Sequence, residues 1–343
     1  MLFDSKLDFP FQEPLPVPNF AEAQMWNFTD GKYGFIFHPG SMPGDLKLWH
    51  NAVAVTCPDG SVLATKVIGR GPLEGFGSDT ANSRTIEPYR KWELNFDGAL
   101  RRYHPESLQL GPGTDGRHLP VKVHLDVSAP HSVWDPGAAL KNPTDGIFDT
   151  MCLMHHEQAL TATGFIEIEG KRIAFDGIGH RDHSYGPREM GKLLRGFWIN
   201  GTFDSGWAFL AFEGTAEGSH LVRRGAIFED GAVIECEITH DAILRSAAPD
   251  PRQFTLSAHL PNGSIREIVV ACTNGVNWTA NGPAEWCVGT DLSNPRNYIF
   301  SHYFAELRCG DEKGLGFADR GAQAALLQKL VEAAPASRGE KND

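Results

Sequence analysis

The chain has 343 residues, 41% hydrophobic and 22% charged, so it holds enough apolar material for a packed core and exceeds the roughly 100–200 residues of an average domain. A formal net charge of −12, with no basic stripe, argues against a nucleic acid or an anionic membrane as partner. Six scattered cysteines without a C-x-x-C pair argue against a zinc ribbon or a disulfide scaffold, and read as free thiols in a reducing cytoplasm.

Residues 1–25 are proline-rich and lack the basic-then-apolar order of a signal peptide; they read as an extended arm that wraps the body. No stretch is long enough to span a membrane as a helix. Strand-like pieces follow at Tyr33 to His38 and Leu46 to Thr56, then a Cys57-Pro58-Asp59-Gly60 turn and a return over Ser61 to Ile68. Proline presets φ in such a turn and glycine accepts φ > 0. Lys91 to Phe96 alternates polar and apolar residues, with Asp97-Gly98 as its expected close, and Val121 to Val127 alternates over seven residues. Hairpins are then expected from 164–169 with 172–175, 197–203 with 207–212, 225–228 with 233–238, and 254–260 with 265–271. Tyr298 to Leu307 is the last long strand candidate. Helical periodicity is confined mainly to Asp319 to Ala334, where Ala322, Leu326, Leu327, Leu330 and Val331 share a face; Lys192 to Arg195 reads as a short turn. Strands spaced roughly 8–12 residues apart, separated by turn residues, point to an all-β sandwich or antiparallel barrel. Two strand sets meet near residues 179–188, and pockets concentrate at such junctions.

One segment breaks the pattern. Gly179-His180-Arg181-Asp182-His183-Ser184-Tyr185-Gly186-Pro187-Arg188 is too polar for a strand that only packs a core, and reads as a loop or strand end held in a specific shape. Asp182 suits a general acid if burial raises its pKa, or a base if it stays ionised. His180 and His183 suit proton shuttling or holding Asp182. Tyr185 offers a hydrogen bond from an apolar wall, and Arg188 can pair with Asp182 or bind a carboxylate or phenolate. The competing reading is a buried Arg–Asp–His network that locks a domain junction. A metal set of His180 and His183 with His155 or His156 and Glu157 is a further alternative, but His-x-x-His on a strand puts its rings on opposite faces. Glu157, Asp176 and Asp182 are carboxylates that could converge. There is no G-x-S-x-G and no phosphate-cradling loop.

This ten-residue segment, preceded by Thr163-Gly164 and the hairpin around it, resembles the hydroxyneurosporene synthase, or carotenoid 1,2-hydratase-like, superfamily, in a bacterial branch. Many such proteins carry tryptophan where Tyr185 stands, a departure that weakens any transfer of substrate. By order of elements the resemblance spans residues 25–320. It implies two tandem lipocalin-like antiparallel β-barrels with a C-terminal helix, a hydrophobic cavity and no cofactor or metal. On that reading the arm covers 1–25, the barrels 26–190 and 191–318, and helix and tail 319–343.

The function expected is cofactor-independent acid–base chemistry on a hydrophobic small molecule: hydration or dehydration, isomerisation or cyclisation of a terpenoid-, steroid- or prenyl/aromatic-like compound. Asp182, His183, His180, Tyr185 and Arg188 are the catalytic candidates. Trp198, Trp207, His302, Tyr303 and His155 are the candidates for the substrate wall, since aromatic faces stabilise cations; Trp286 is among the further aromatics that could supply it. The alternative is a non-catalytic carrier that holds a hydrophobic ligand in a lipocalin-like barrel. Strands enrich aromatics regardless of function, so each of these rings has a plain core reading as well.

Overall fold

The computed structural model describes residues 3–72, 74–114, 116–136, 152–248, 250–282 and 285–333. The first half supplies ten strands: β1 Phe20–Thr29, β2 Gly34–Met42, β3 Asp45–Thr56, β4 Val62–Arg70, β5 Gly75–Gly77, β6 Ala81–Glu87, β7 Lys91–Tyr103, β8 His118–Ser128, β9 Met154–Ile168 and β10 Lys171–Pro187. A short helix, α1 (Pro105–Leu110), lies between β7 and β8. Their order, β4-β3-β2-β1-β10-β9-β8-β7, closes on itself through β4–β7, giving an eight-stranded antiparallel barrel with β6 and β5 as a flap. The second half supplies β11 Leu193–Phe203, β12 Ala208–Ala216, β13 Val222–Glu229, β14 Ala232–His240, β15 Gln253–His259, β16 Ile265–Ala280, β17 Trp286–Val288, β18 Tyr298–Cys309 and β19 Glu312–Gln323, followed by α2 (Ala324–Ala333). The order β15-β14-β13-β12-β11-β19-β18-β16 closes through β15–β16 into a second eight-stranded barrel. The protein is therefore two closed antiparallel barrels in tandem with a short C-terminal helix. No helix among the described residues is long and apolar enough to cross a membrane.

The period-2 alternation of the strands creates three large apolar clusters rather than two, beside a small fourth one of Leu244, Ile299, Ala322 and Leu327. Inward residues such as Trp26, Phe28, Phe35, Phe37, Val53 and Leu125 fill the first barrel. Phe197, Ile199, Phe209, Leu256, Ile268 and Tyr303 belong to the filling of the second. The alternate, outward residues Ile36, Ala52, Ala54 and Ala64 of the first barrel join Leu210, Phe228, Val276, Trp278 and Phe317 of the second in one shared cluster. Packed side chains occupy the barrel interiors, where the carrier reading would hold its ligand, and a cavity lies between the barrels, at the junction where the sequence reading looked for a pocket.

Several boundaries differ from the sequence reading. β1 starts at Phe20, inside the expected arm, because it pairs along its length with β10. β7 runs through Asp97-Gly98 rather than ending there, since these residues stand opposite Lys122 and Val121 in the ladder. The expected helix from Asp319 begins only at Ala324: Asp319 to Gln323 pair with β18, so apolar spacing that fits a helix face is used by a buried strand. Leu193 to Arg195 likewise start a strand; the turn is the 3-10 segment Met190–Lys192.

The largest difference is the polar segment. Instead of a loop or strand end, residues 179–187 lie within the seventeen-residue β10, paired with β1 on one side and, as far as Tyr185, with β9 on the other. Gly179 permits that closeness, because a Cβ there would stand 2.0 Å from the Asn27 carbonyl oxygen. Gly186 has φ +149, in the region that favours glycine, and a Cβ would stand 2.6 Å from the Leu153 nitrogen.

Candidate active site between the barrels

Because β10 is a strand, its polar run divides by alternation. Arg181, His183 and Tyr185 turn toward the first barrel and the N-terminal arm. His180, Asp182 and Ser184 turn toward the second barrel.

The arm-side group forms a closed network. Asp8, fully buried, accepts from Arg181 Nη2 (2.5 Å), Trp92 Nε1 (3.0 Å) and the Tyr89 N–H (2.8 Å). The Arg181 guanidinium lies 4.2 Å over the Trp92 ring. His183 Nε2 and Glu22 Oε1 share a hydrogen bond of 2.8 Å, and the Phe11 N–H donates to Glu22 Oε2 (2.9 Å). Burial, reinforced by the Arg181 charge, lowers the His183 pKa to about 3, and burial raises that of Glu22 to about 8. Tyr185 packs edge-on against Phe11 at 4.6 Å. His183 and Tyr185, two catalytic candidates, thus sit on the far face of the strand from Asp182 and do not line the cavity.

The other face opens on a cavity of about 180 Å³ walled by both barrels. Asp182, Ser184, Arg188, Met25, His38 and His155 come from the first half; Trp198, Phe212, Trp286, Phe300, His302 and Asp319 come from the second. Asp182 Oδ1 accepts the Met25 N–H at 3.0 Å. His155 sits in the β9 position opposite Ser184, diagonal to Asp182. Its Nε2 is 2.8 Å from Glu157 Oε1 and 3.6 Å from Asp182 Oδ2. Glu157, opposite Asp182 in the ladder, is the hub. It accepts from Trp198 Nε1 (2.7 Å) and bonds His180 Nε2 (3.0 Å), so a second-barrel indole is tied to a first-barrel carboxylate. His180 is buried behind the cavity, edge-on to Trp198 at 5.3 Å.

These contacts set the charges. Burial opposes a charged His155, but Glu157 and Asp182 together hold its pKa well above the ordinary histidine value. Burial alone would raise Asp182; the bond and charge of His155, with His38 and Arg188, bring its pKa below the usual carboxylate value. Of the two states weighed for Asp182, the protonated acid requires the opposite shift; these contacts favour an ionised Asp182 beside a charged His155. Across the cavity, His302 Nε2 lies 3.4 Å from its ladder partner Asp319, and burial lowers His38 to about 4. The His38 ring stacks on Trp286 at 4.7 Å.

Two of the expected wall residues lie elsewhere. Trp207 stacks on Phe203 at 4.0 Å and donates from Nε1 to Glu312 (2.9 Å). Tyr303 belongs to the filling of the second barrel, one strand position from His302, and its hydroxyl accepts from Gln109 (2.9 Å). Asp176 is exposed on β10 and joins no site. Trp286, one of the aromatics the sequence offered for the wall, does line the cavity; His38, Phe300 and Asp319 are among the lining residues that the sequence reading left out. They lie far from the polar segment in sequence, and only β10 carried a local signal.

The metal alternative also divides by face, with His183 and His180 apart. Among the described residues, His155, Glu157 and Asp182 bring ligand atoms within 4.8 Å of one another. The 2.8 Å gap between His155 and Glu157 is that of a charged hydrogen bond, whereas ligands sharing a tetrahedral metal at ~2.0 Å stand roughly 3.3 Å apart. A tetrahedrally bound ion would have to open this contact.

The fold recurs in solved structures of low sequence identity. An AttH-type protein of Nitrosomonas europaea matches with a TM-score of 0.56 at 12% identity, over 90% of this chain and 97% of that one. CghA matches at 0.54 and 10%, over 92% and 96%. Kievitone hydratase of Nectria haematococca matches at 0.53 and 8%, over 89% and 90%. Curated protein sequences offer no match. At sequence level, residues 11–320 match one family model, and the chain belongs to that family, described as a domain of unknown function (DUF7064).

Proposed function

We propose that this protein is a cofactor-independent enzyme of the hydratase or isomerase type, acting by acid–base chemistry on a hydrophobic small molecule held between the barrels. The observation that carries this reading is the His155–Asp182 pair, anchored by Glu157, on the wall of a cavity that Trp198, Phe212, Trp286 and Phe300 also line. A carrier needs the apolar wall but has no use for an ion pair at the ligand, where burying charge costs free energy. The fold shared with kievitone hydratase, and with CghA crystallised with Sch210972, supports a hydratase-type activity and a small-molecule ligand. So does the resemblance of Gly179–Arg188 to the carotenoid hydratase-like superfamily.

Ionised Asp182 would take a proton from water or from a carbon beside the reacting double bond. Protonated His155 would return one, and Glu157 would keep the imidazole charged and oriented. Trp198, Trp286, Phe212 and Phe300 would face the cation that forms when an alkene is protonated. The test is incubation with panels of prenyl, terpenoid and isoflavonoid alkenes and alcohols in light and heavy water, scored by mass spectrometry for addition or loss of one water or for deuterium incorporation. Asp182→Asn is expected to lower any such conversion about 100-fold or more, with the melting temperature nearly unchanged. A large loss of stability with unchanged conversion per folded molecule would sink the assignment.

A further inference from the structure

Arg188 is a cavity cation that the acid–base scheme leaves unused; Arg195, the other arginine on the cavity lining, is exposed. It follows directly on β10 and lines the cavity with Asp182 and Ser184. Its Nη2 donates to the Ser184 carbonyl (2.9 Å) and hydroxyl (2.7 Å), both neutral, and its Nε is buried without a hydrogen-bond partner. Among the described residues no carboxylate lies within 4 Å of it. Arg181, on the arm-side face of β10, is neutralised by Asp8. Arg320 also lacks a carboxylate, but it sits beside the Pro251 carbonyl, the Cys272 sulfur and the face of Phe254, away from the cavity.

The acids that act on Arg188 do not discharge it. Asp182 is engaged by His155 and the Met25 N–H, and Glu22 bonds His183 and the Phe11 N–H. Burial lowers the Arg188 pKa below its ordinary value without bringing a partner. A guanidinium partly withdrawn from water with no counter-charge costs free energy, and its planar fork suits an oxygen anion.

We infer that Arg188 is an oxyanion subsite, and that the ligand is a largely apolar molecule bearing one acidic oxygen, such as a carboxylate, phenolate or enolate. This rests on the cavity being the ligand site, and it narrows the substrate class beyond "hydrophobic". The oxygen would meet Arg188 while the carbon skeleton lies against Trp286, Phe300 and Phe212. The same contact places the reacting carbons near Asp182.

The experiment uses N-phenyl-1-naphthylamine as a fluorescent reporter on the full chain, displaced by decanoate or by decan-1-ol. An apolar cavity without a free cation favours the neutral alcohol. With Arg188 as described, decanoate is expected to displace the reporter at a concentration about tenfold lower than decanol. Arg188→Met is expected to reverse that preference, and its melting temperature to equal or exceed that of the unaltered protein, because an uncompensated charge has been removed. Equal or alcohol-favouring displacement in the unaltered protein overturns the subsite without any variant having to fold. So does retained preference in Arg188→Met, or a marked fall in its melting temperature. Failure of the reporter to bind, or binding unaffected by Trp286→Ala, overturns the cavity reading itself and the subsite with it.

Discussion

At the residue scale the site depends on how one carboxylate distributes its bonds. Glu157 gathers His155, His180 and Trp198, so the charge on His155 is a consequence of Glu157 rather than of the imidazole's own basicity. Burial works against that charge and would prevail alone. Glu157→Gln is therefore expected to drop the His155 pKa to or below the ordinary histidine value, read by NMR titration of its ring protons. The same change should cost about 1–3 kcal/mol of stability, as a buried donor loses a charged acceptor. An unmoved His155 titration would mean that Asp182 alone holds the proton. The sequence named Asp182, His155 and Glu157 but could not rank them, because their roles follow from cross-strand and diagonal neighbours that sequence spacing does not specify.

At the element scale, β10 does two jobs with one run of residues. Its outward positions face the cavity and its inward positions receive the N-terminal arm. The arm is a structural part of the first barrel, since Asp8 is the counter-charge for a guanidinium that is itself fully buried. Asp8→Ala is expected to destabilise the protein by about 3–5 kcal/mol in urea unfolding, because it strands Arg181 among tryptophans. Adding Arg181→Met should recover most of that loss. A small effect of Asp8→Ala would show that the arm only lies on the surface. The arm-side face of the strand is a closed buried network that ties down the N-terminal arm, whereas the other face carries both the His180–Glu157–Trp198 tie between the barrels and the cavity group. Alternation explains why both readings of Gly179–Arg188 found support in the same ten residues.

At the scale of the whole molecule, the barrels share an apolar cluster and a hydrogen bond from Trp198 to Glu157, so they are expected to unfold together. Far-UV circular dichroism and tryptophan fluorescence should report one coincident transition; two separated transitions would contradict it. The position of that transition should depend on pH. His38, His156 and His183 have pKa values lowered to about 4, 3 and 3, so the stability they contribute is present above about 6.5 and lost as pH falls toward those values. Glu22, raised to about 8, acts oppositely: its contribution is full below about 4.5 and is lost as pH rises through 8. His155, also raised, loses its contribution on the alkaline side. His50, also lowered by burial, acts in the same direction as His38, His156 and His183. The melting temperature should peak near pH 6–7, with an acid slope of at most about 4 kcal/mol per pH unit between pH 4.5 and 6.5. A flat acid limb would contradict the buried neutral histidines.

Local patterning by itself determined the strand content, most turns and the strand pairs that flank Pro-Asp-Gly and Asn-Gly signals. These are nearest-neighbour properties: alternation, turn chemistry and composition act over a few residues. Tertiary structure decided which face each residue of Gly179–Arg188 presents, since a strand's faces acquire meaning only from what packs on them. It also decided that Tyr303 and Trp207 are core while His302 and Trp198 face the cavity, a difference of one strand position in the first case. His38, Trp286, Phe300 and Asp319 enter the site only because two barrels dock by their outer surfaces, and no local pattern in any of their segments records that docking.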